Sequence, residues 1–261
     1  MSDRLPGAPP FGALGRVAAG DGQHYCRFVH DIVELLDRPA WEHGVRLVGK
    51  APLAGVETLA PAVPGKIIAV GLNYRAHAEE FEMAVPAEPI LFMKPRTAVI
   101  GPGQTIVRPA RSSRVDYEAE LAVVVSRPCK DVAPAEAADY VAGYTCGNDV
   151  TARDLQKLDG QWTRAKGFDT FCPLGPWLVT EAPSPEARVS ALLDGVEVQH
   201  GFVGDMVVSP LELLSFVSGV MTLDPGDVIL TGTPPGVGPL AAGQVVTIVV
   251  EGIGALTSPV A

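Results

Sequence analysis

Two glutamates one residue apart pose the chemical question in this 261-residue chain. They stand in Asp116-Tyr117-Glu118-Ala119-Glu120-Leu121, which continues as Ala122-Val123-Val124-Val125. Alternation along a strand puts Glu118 and Glu120 on one face. At about 4 Å and an effective dielectric of about 20, two carboxylates repel by roughly 4 kcal/mol. The apolar residues that follow carry the strand into a core, where solvent screens that repulsion less. Either one glutamate sits at a solvated strand end, or a shared proton, a basic neighbour or a metal ion offsets the charge. Ligands that are all oxygen select hard cations, Mg²⁺, Mn²⁺ or Ca²⁺.

Asp149 ends a second apolar stretch, in Gly147-Asn148-Asp149-Val150-Thr151. It reads as a helix N-cap or as a third carboxylate beside the glutamate pair. Arg153 and Gln156 follow three residues apart, so on a helix they share a face. That face is either solvated or a grip on an anionic substrate. His77 and Glu80 have the same spacing, in Asn73-Tyr74-Arg75-Ala76-His77-Ala78-Glu79-Glu80. A carboxylate beside a histidine orients the ring and raises its basicity, the arrangement of a general base acting on water. The plainer reading is an exposed helical histidine among acids. Lys166, between Ala165 and Gly167, is a loop lysine or an inward-pointing fixed charge. The glycine-rich segment 230–238 lacks the lysine of a P-loop, which argues against nucleotides; its hydroxyls and amides suit a carboxylate.

Elements must bring these residues together. Gly20-Asp21-Gly22 suggests a hairpin turn between strands at 16–19 and 23–27. Residues 29–36 are ambiguous, and Pro61-Ala62-Val63-Pro64-Gly65 marks a boundary between a small β-rich N-terminal domain, 1–62, and a main domain, 63–261. Strands are expected at 66–71, 89–94, 116–126, 141–148, 227–231 and 245–251, with a hairpin at 187–193 and 196–200 around Asp194-Gly195. Helices are expected at 73–83, 134–140, 151–158 and 210–220. The order is strand-rich with isolated helices, a mixed α/β pattern unlike regular βαβ winding.

Composition narrows the partners. Hydrophobic residues make up 47% and charged residues 19%, with 28 Gly and 24 Pro, which suits many short elements and a sizeable core. The net charge of −10 disfavours nucleic acid. No apolar run approaches the roughly 20 residues a spanning helix needs, and no basic-then-apolar leader opens the chain. The four cysteines form no CxxC and read as buried reduced thiols, so a cytoplasmic location is expected.

In order, these motifs resemble the fumarylacetoacetate hydrolase family. The matching fragments are Leu59-Ala60-Pro61 with Pro64-Gly65-Lys66-Ile67, then Gly71-Leu72-Asn73-Tyr74-Arg75-Ala76-His77, Leu91-Phe92-Met93-Lys94-Pro95, Tyr117-Glu118-Ala119-Glu120-Leu121 and Asn148-Asp149-Val150-Thr151-Ala152-Arg153-Asp154-Leu155-Gln156. Ala165-Lys166-Gly167-Phe168-Asp169-Thr170 and Leu223-Asp224-Pro225-Gly226-Asp227 running into Thr231-Gly232-Thr233-Pro234 complete a match over roughly 59–260. The resemblance implies a β-sandwich or roll with short helices around a divalent cation, usually as a homodimer. It implies Glu118, Glu120 and Asp149 as metal ligands, for Mg²⁺ or Mn²⁺ with Ca²⁺ an option. His77, Glu80 and Lys166 take catalytic positions, and Arg153, Gln156, Thr170 and Thr233 lie about the substrate. The implied substrates are small anionic 2-oxo acids: acylpyruvates cleaved by hydrolysis, or oxaloacetate by decarboxylation. The alternative is isomerase or decarboxylase activity on hydroxymuconate-type diacids of aromatic catabolism. Asp159-Gly160-Gln161-Trp162 looks most like bacterial members acting on small 2-oxo acids. Phe202-Val203-Gly204 departs from the family's polar Asn-Thr-Ser, and Ser258 stands where Asn is usual.

Overall fold

The computed structural model describes residues 8–20 and 22–261. Its strands form a sheet of twelve, one of four and one of three, with only short helices between them. The fold class is therefore the mixed, strand-rich one expected.

The centre of the large sheet is the strand Ala119–Val125, flanked by Val141–Asn148 and Val228–Leu230. All seven of its residues are buried, as are Ile67–Val70 and Val228–Leu230. Continuous apolar runs suit strands covered on both faces. Successive side chains go to opposite cores. Leu121, Val123 and Ile229 join a cluster with Val189, Ala191, Ile248 and Leu256 of the four-stranded sheet. Ala122, Val124, Val228 and Leu230 join a second cluster with Ile67, Leu174 and Leu178. Two sheets packed over the first cluster give the sandwich.

The N-terminal strands are Leu14–Ala19, Gly22–Val29, Ile32–Leu36 and Leu47–Pro52, each antiparallel to the next. The ambiguous segment at 29–36 is thus a strand, entered through the left-handed residue His30. Asp21, in the expected turn, lies outside the described residues. Leu14 pairs with Leu178, which makes these strands one side of the large sheet.

Three expectations about elements change. The strand expected at 116–126 breaks at Glu118: Val115–Tyr117 belongs to the three-stranded sheet and Ala119–Val125 to the large one. The cause is local. The Glu118 amide donates to the Asn148 side chain at 3.0 Å, and its carbonyl accepts from the Asp149 amide, so the strand leaves one ladder and enters another there. The helix expected at 73–83 is only α1, Arg75–Glu80. It ends before Glu82, which takes φ +54°. The helix expected at 151–158 begins later. Thr151–Ala152 is strand, and α2 runs Arg153–Asp159, closed by left-handed Gly160. A further one-turn helix, α3, spans Thr163–Lys166. Residues 134–140 form a 3-10 helix. The helix at 210–220 is found as α4, Pro210–Val220, opened by a reciprocal Ser209–Glu212 cap with Pro210 in the first turn.

Candidate active site

The break at Glu118 is where the chemistry gathers. Glu118, Glu120 and Asp149 each offer a carboxylate oxygen, and these lie within 4.8 Å of one another, all buried. Two strands and the turn after Asn148 position them. Asp149 sits beside Glu118 because the Asp149 amide donates to the Glu118 carbonyl at 3.0 Å.

Buried acids this close require cations. Lys166, delivered by α3 and 2% exposed, donates to Glu118 Oε2 at 2.8 Å and Asp149 Oδ2 at 2.5 Å. Lys94, at the end of the strand Leu91–Lys94, donates to Asp149 Oδ1 at 2.5 Å and the Val150 carbonyl at 3.2 Å. Arg153, at the start of α2, donates to Glu118 Oε1 at 2.6 Å, Asp116 Oδ2 at 3.0 Å and Gln156 Oε1 at 2.7 Å. Burial alone would raise the Glu118 pKa; the Lys166 and Arg153 charges outweigh it and hold that carboxyl well below the usual range. Burial likewise opposes the Lys166 ammonium, and Asp149 and Glu118 outweigh it, raising its pKa.

Glu120 is the exception. Its Oε2 accepts the Gly232 amide at 2.7 Å, but among the described residues no lysine or arginine forms an ion pair with it. Burial, then the negative charges of Asp149 and Glu118, push its pKa well above the ordinary value. Three converging oxygen donors, one of them without a counter-charge, fit a hard divalent cation.

Gly232 holds φ +92°, and a Cβ there would stand 2.8 Å from the Asn73 Cβ. Asn73 is itself fixed: its side chain donates to the Thr231 and Val208 carbonyls and accepts the Val208 amide. Gly232→Ala is therefore expected to destabilise the protein by about 1–3 kcal/mol and shift the amide that holds Glu120, checked by chemical unfolding.

The cavity above this cluster holds about 280 Å³. Glu118, Lys166, Arg153, Gln156 and His77 line it. His77, on α1 and 4% exposed, faces Glu80 Oε2 through Nδ1 at 3.1 Å. The Glu80 carboxylate also accepts the Gly236 amide at 3.2 Å, tying α1 to the glycine-rich loop. A six-residue helix is too short to persist alone, so these tethers and buried Tyr74 and Ala78 hold it.

Two expected substrate residues are engaged elsewhere. Thr170 does not line the cavity; its hydroxyl accepts the Val107 amide at 2.9 Å. The Thr233 hydroxyl donates to the Ala119 carbonyl at 2.9 Å and accepts from Gln199 at 2.7 Å, locking the loop to the central strand. Sequence reasoning missed Lys94, Asn73, Gln199 and the cavity-lining Lys157. Lys157 had a signal, since it follows Arg153 by four residues and shares its helical face.

Residues 66–261 match the family model for the fumarylacetoacetate (FAA) hydrolase C-terminal domain. Among solved structures, the chain resembles 5-carboxymethyl-2-hydroxymuconate delta-isomerase from Mycobacterium smegmatis, with 45% identity, TM-score 0.88, and 95% of this chain and 98% of that one covered. It resembles 2-hydroxyhepta-2,4-diene-1,7-dioate isomerase from Mycobacterium marinum at 44% identity and TM-score 0.88, covering 95% and 97%. A fumarylacetoacetate hydrolase from Exiguobacterium antarcticum is similar at 34% identity and TM-score 0.83, covering 95% and 98%.

Proposed function

This chain belongs to the fumarylacetoacetate hydrolase family, and on that premise we propose that it is a divalent-metal-dependent enzyme cleaving a carbon–carbon bond in small 2-oxo acids. The reaction is hydrolysis of acylpyruvate-type substrates or decarboxylation of oxaloacetate. The observation that carries this reading is the His77–Glu80 pair, 3.1 Å apart, with His77 on the same cavity as Glu118 and Lys166.

Glu118, Glu120 and Asp149 would hold the cation, which supplies Lewis-acid polarisation of substrate oxygens when bound. Glu80 accepts the Nδ1 proton of His77, which fixes the tautomer and leaves Nε2 to take a proton from water. That water attacks the distal carbonyl of an acylpyruvate. The bond to the neighbouring carbon then breaks, and its electron pair passes into an enolate. The Lys166 ammonium, fixed among buried acids, offers positive charge to that enolate without reorganising. Phe81, edge-on to His77 with ring centroids 5.0 Å apart, keeps bulk water from one side of the base.

A second reading, isomerisation or decarboxylation of hydroxymuconate-type diacids, is favoured by the two isomerases among the structural relatives. It uses the same cluster and needs no attacking water. His77→Ala separates the two. Acylpyruvate hydrolysis is expected to fall about 10²–10⁴-fold, while diacid isomerisation falls far less. Turnover of an acylpyruvate, oxaloacetate and a hydroxymuconate-type diacid with Mg²⁺ or Mn²⁺ checks it. Hydrolysis that survives His77→Ala would sink the base assignment, and no turnover of any of the three would sink the proposed activity.

A further inference from the structure

Besides His77, three cationic side chains line the cavity: Arg153, Lys157 and Lys166. Two are committed. Lys166 is held by Glu118 and Asp149, and Arg153 by Asp116, Glu118 and Gln156. The Gln156 oxygen is taken with it, since Oε1 accepts from Arg153. Lys157 is different. It is exposed, and among the described residues no acid forms an ion pair with it. It stands one turn beyond Arg153 on α2, about 6 Å further along the helix axis. The cavity thus runs from a buried, fully engaged polar floor at Glu118 and Lys166 to a free cation at its mouth. Leu72, Phe81, Met83 and Trp162 also line it, an apolar wall that suits a short carbon chain.

We infer that Lys157 is a specificity-determining residue that reads a second anionic group, distal to the 2-oxo acid end of the substrate. The inference rests on the 2-oxo acid reading above and sharpens it, favouring dicarboxylates over monocarboxylates of the same length. An ammonium at a cavity mouth pairs with a carboxylate more strongly than on open surface and less strongly than in a core.

Calorimetric titration with Mg²⁺ present tests this with pairs that differ only at the far end: 2-oxoglutarate against 2-oxopentanoate, and 2-oxoadipate against 2-oxohexanoate. In at least one pair the wild-type protein is expected to bind the dicarboxylate about three- to tenfold more tightly. Lys157→Met is expected to bring that ratio close to one, and Lys157→Arg to preserve it. Lys157 is exposed, so both variants are expected to fold. Equal affinities in both pairs, a preference that persists in Lys157→Met, or no binding of any of the four would overturn the inference. Failure of the reaction reading has a separate signature, because it appears as absent acylpyruvate and oxaloacetate turnover whatever the binding ratio.

Discussion

Asp149→Ala is expected to lower stability by about 3–5 kcal/mol, among the largest single-residue effects in this protein. The reason is the number of charges it strands. Asp149 is 1% exposed and takes Lys166 on one oxygen and Lys94 on the other, both at 2.5 Å. Lys94 has no other acid within ion-pair distance among the described residues. Removing the carboxylate leaves one buried ammonium with only the Val150 carbonyl and the other with Glu118 alone. An unpaired buried charge costs more than a well-made pair contributes, which sets the direction. Urea unfolding with chelator present measures it without any contribution from bound metal. Adding Lys94→Met to Asp149→Ala should recover part of the loss, since an apolar side chain of similar length needs no counter-charge. A midpoint unchanged from wild type in Asp149→Ala would contradict the ion-pair account.

Glu120→Gln is expected to act in the opposite direction on stability while removing function. In the metal-free protein the Glu120 carboxylate meets Asp149 and Glu118 with no cation of its own. Glutamine keeps an oxygen for the Gly232 amide and discards the charge. The variant should therefore be about 1–3 kcal/mol more stable than wild type in chelator at neutral pH. The pH dependence follows from the direction of the shift. A carboxyl whose folded pKa lies above its unfolded value of about 4.3 disfavours folding progressively as pH rises through that interval, and fully above it. The advantage of glutamine should be absent near pH 4 and grow upward from there. Divalent-metal affinity should fall by more than about 100-fold, because a charged ligand is lost where even outer partners cost 10–100-fold. Paired calorimetry and unfolding curves check both halves. A Glu120→Gln protein less stable than wild type in chelator would mean that some unrecognised group already balances Glu120.

These two residues also mark how far the sequence could be read. Glu118, Glu120 and Asp149 were legible because acids standing at the ends of apolar runs have few reasons to be there. Their convergence depends on long-range pairing of Ala119–Val125 with Val141–Asn148, which the local pattern of neither segment specifies. The break at Glu118 was not legible, since nothing in Asp116-Tyr117-Glu118 reveals that the Asn148 side chain will cap its amide from 30 residues away. Lys94 was hidden for the same reason. A lysine that ends a strand usually reaches solvent, and only the fold brings it to an acid 55 residues on. Thr170 and Thr233 show the converse limit. Hydroxyls in glycine-rich loops look like ligand contacts, yet backbone groups of the scaffold engage both.

The proposed reaction requires a cation held by Glu118, Glu120 and Asp149 within reach of a base at His77. The most direct measurement is the rate of acylpyruvate cleavage by chelator-stripped wild-type protein as Mn²⁺ or Mg²⁺ is added back. The expected result is negligible turnover without metal, saturable recovery on addition, and no recovery in Glu120→Gln at the same metal concentrations. Cleavage at full rate in the presence of excess chelator, or equal recovery in Glu120→Gln, would contradict it.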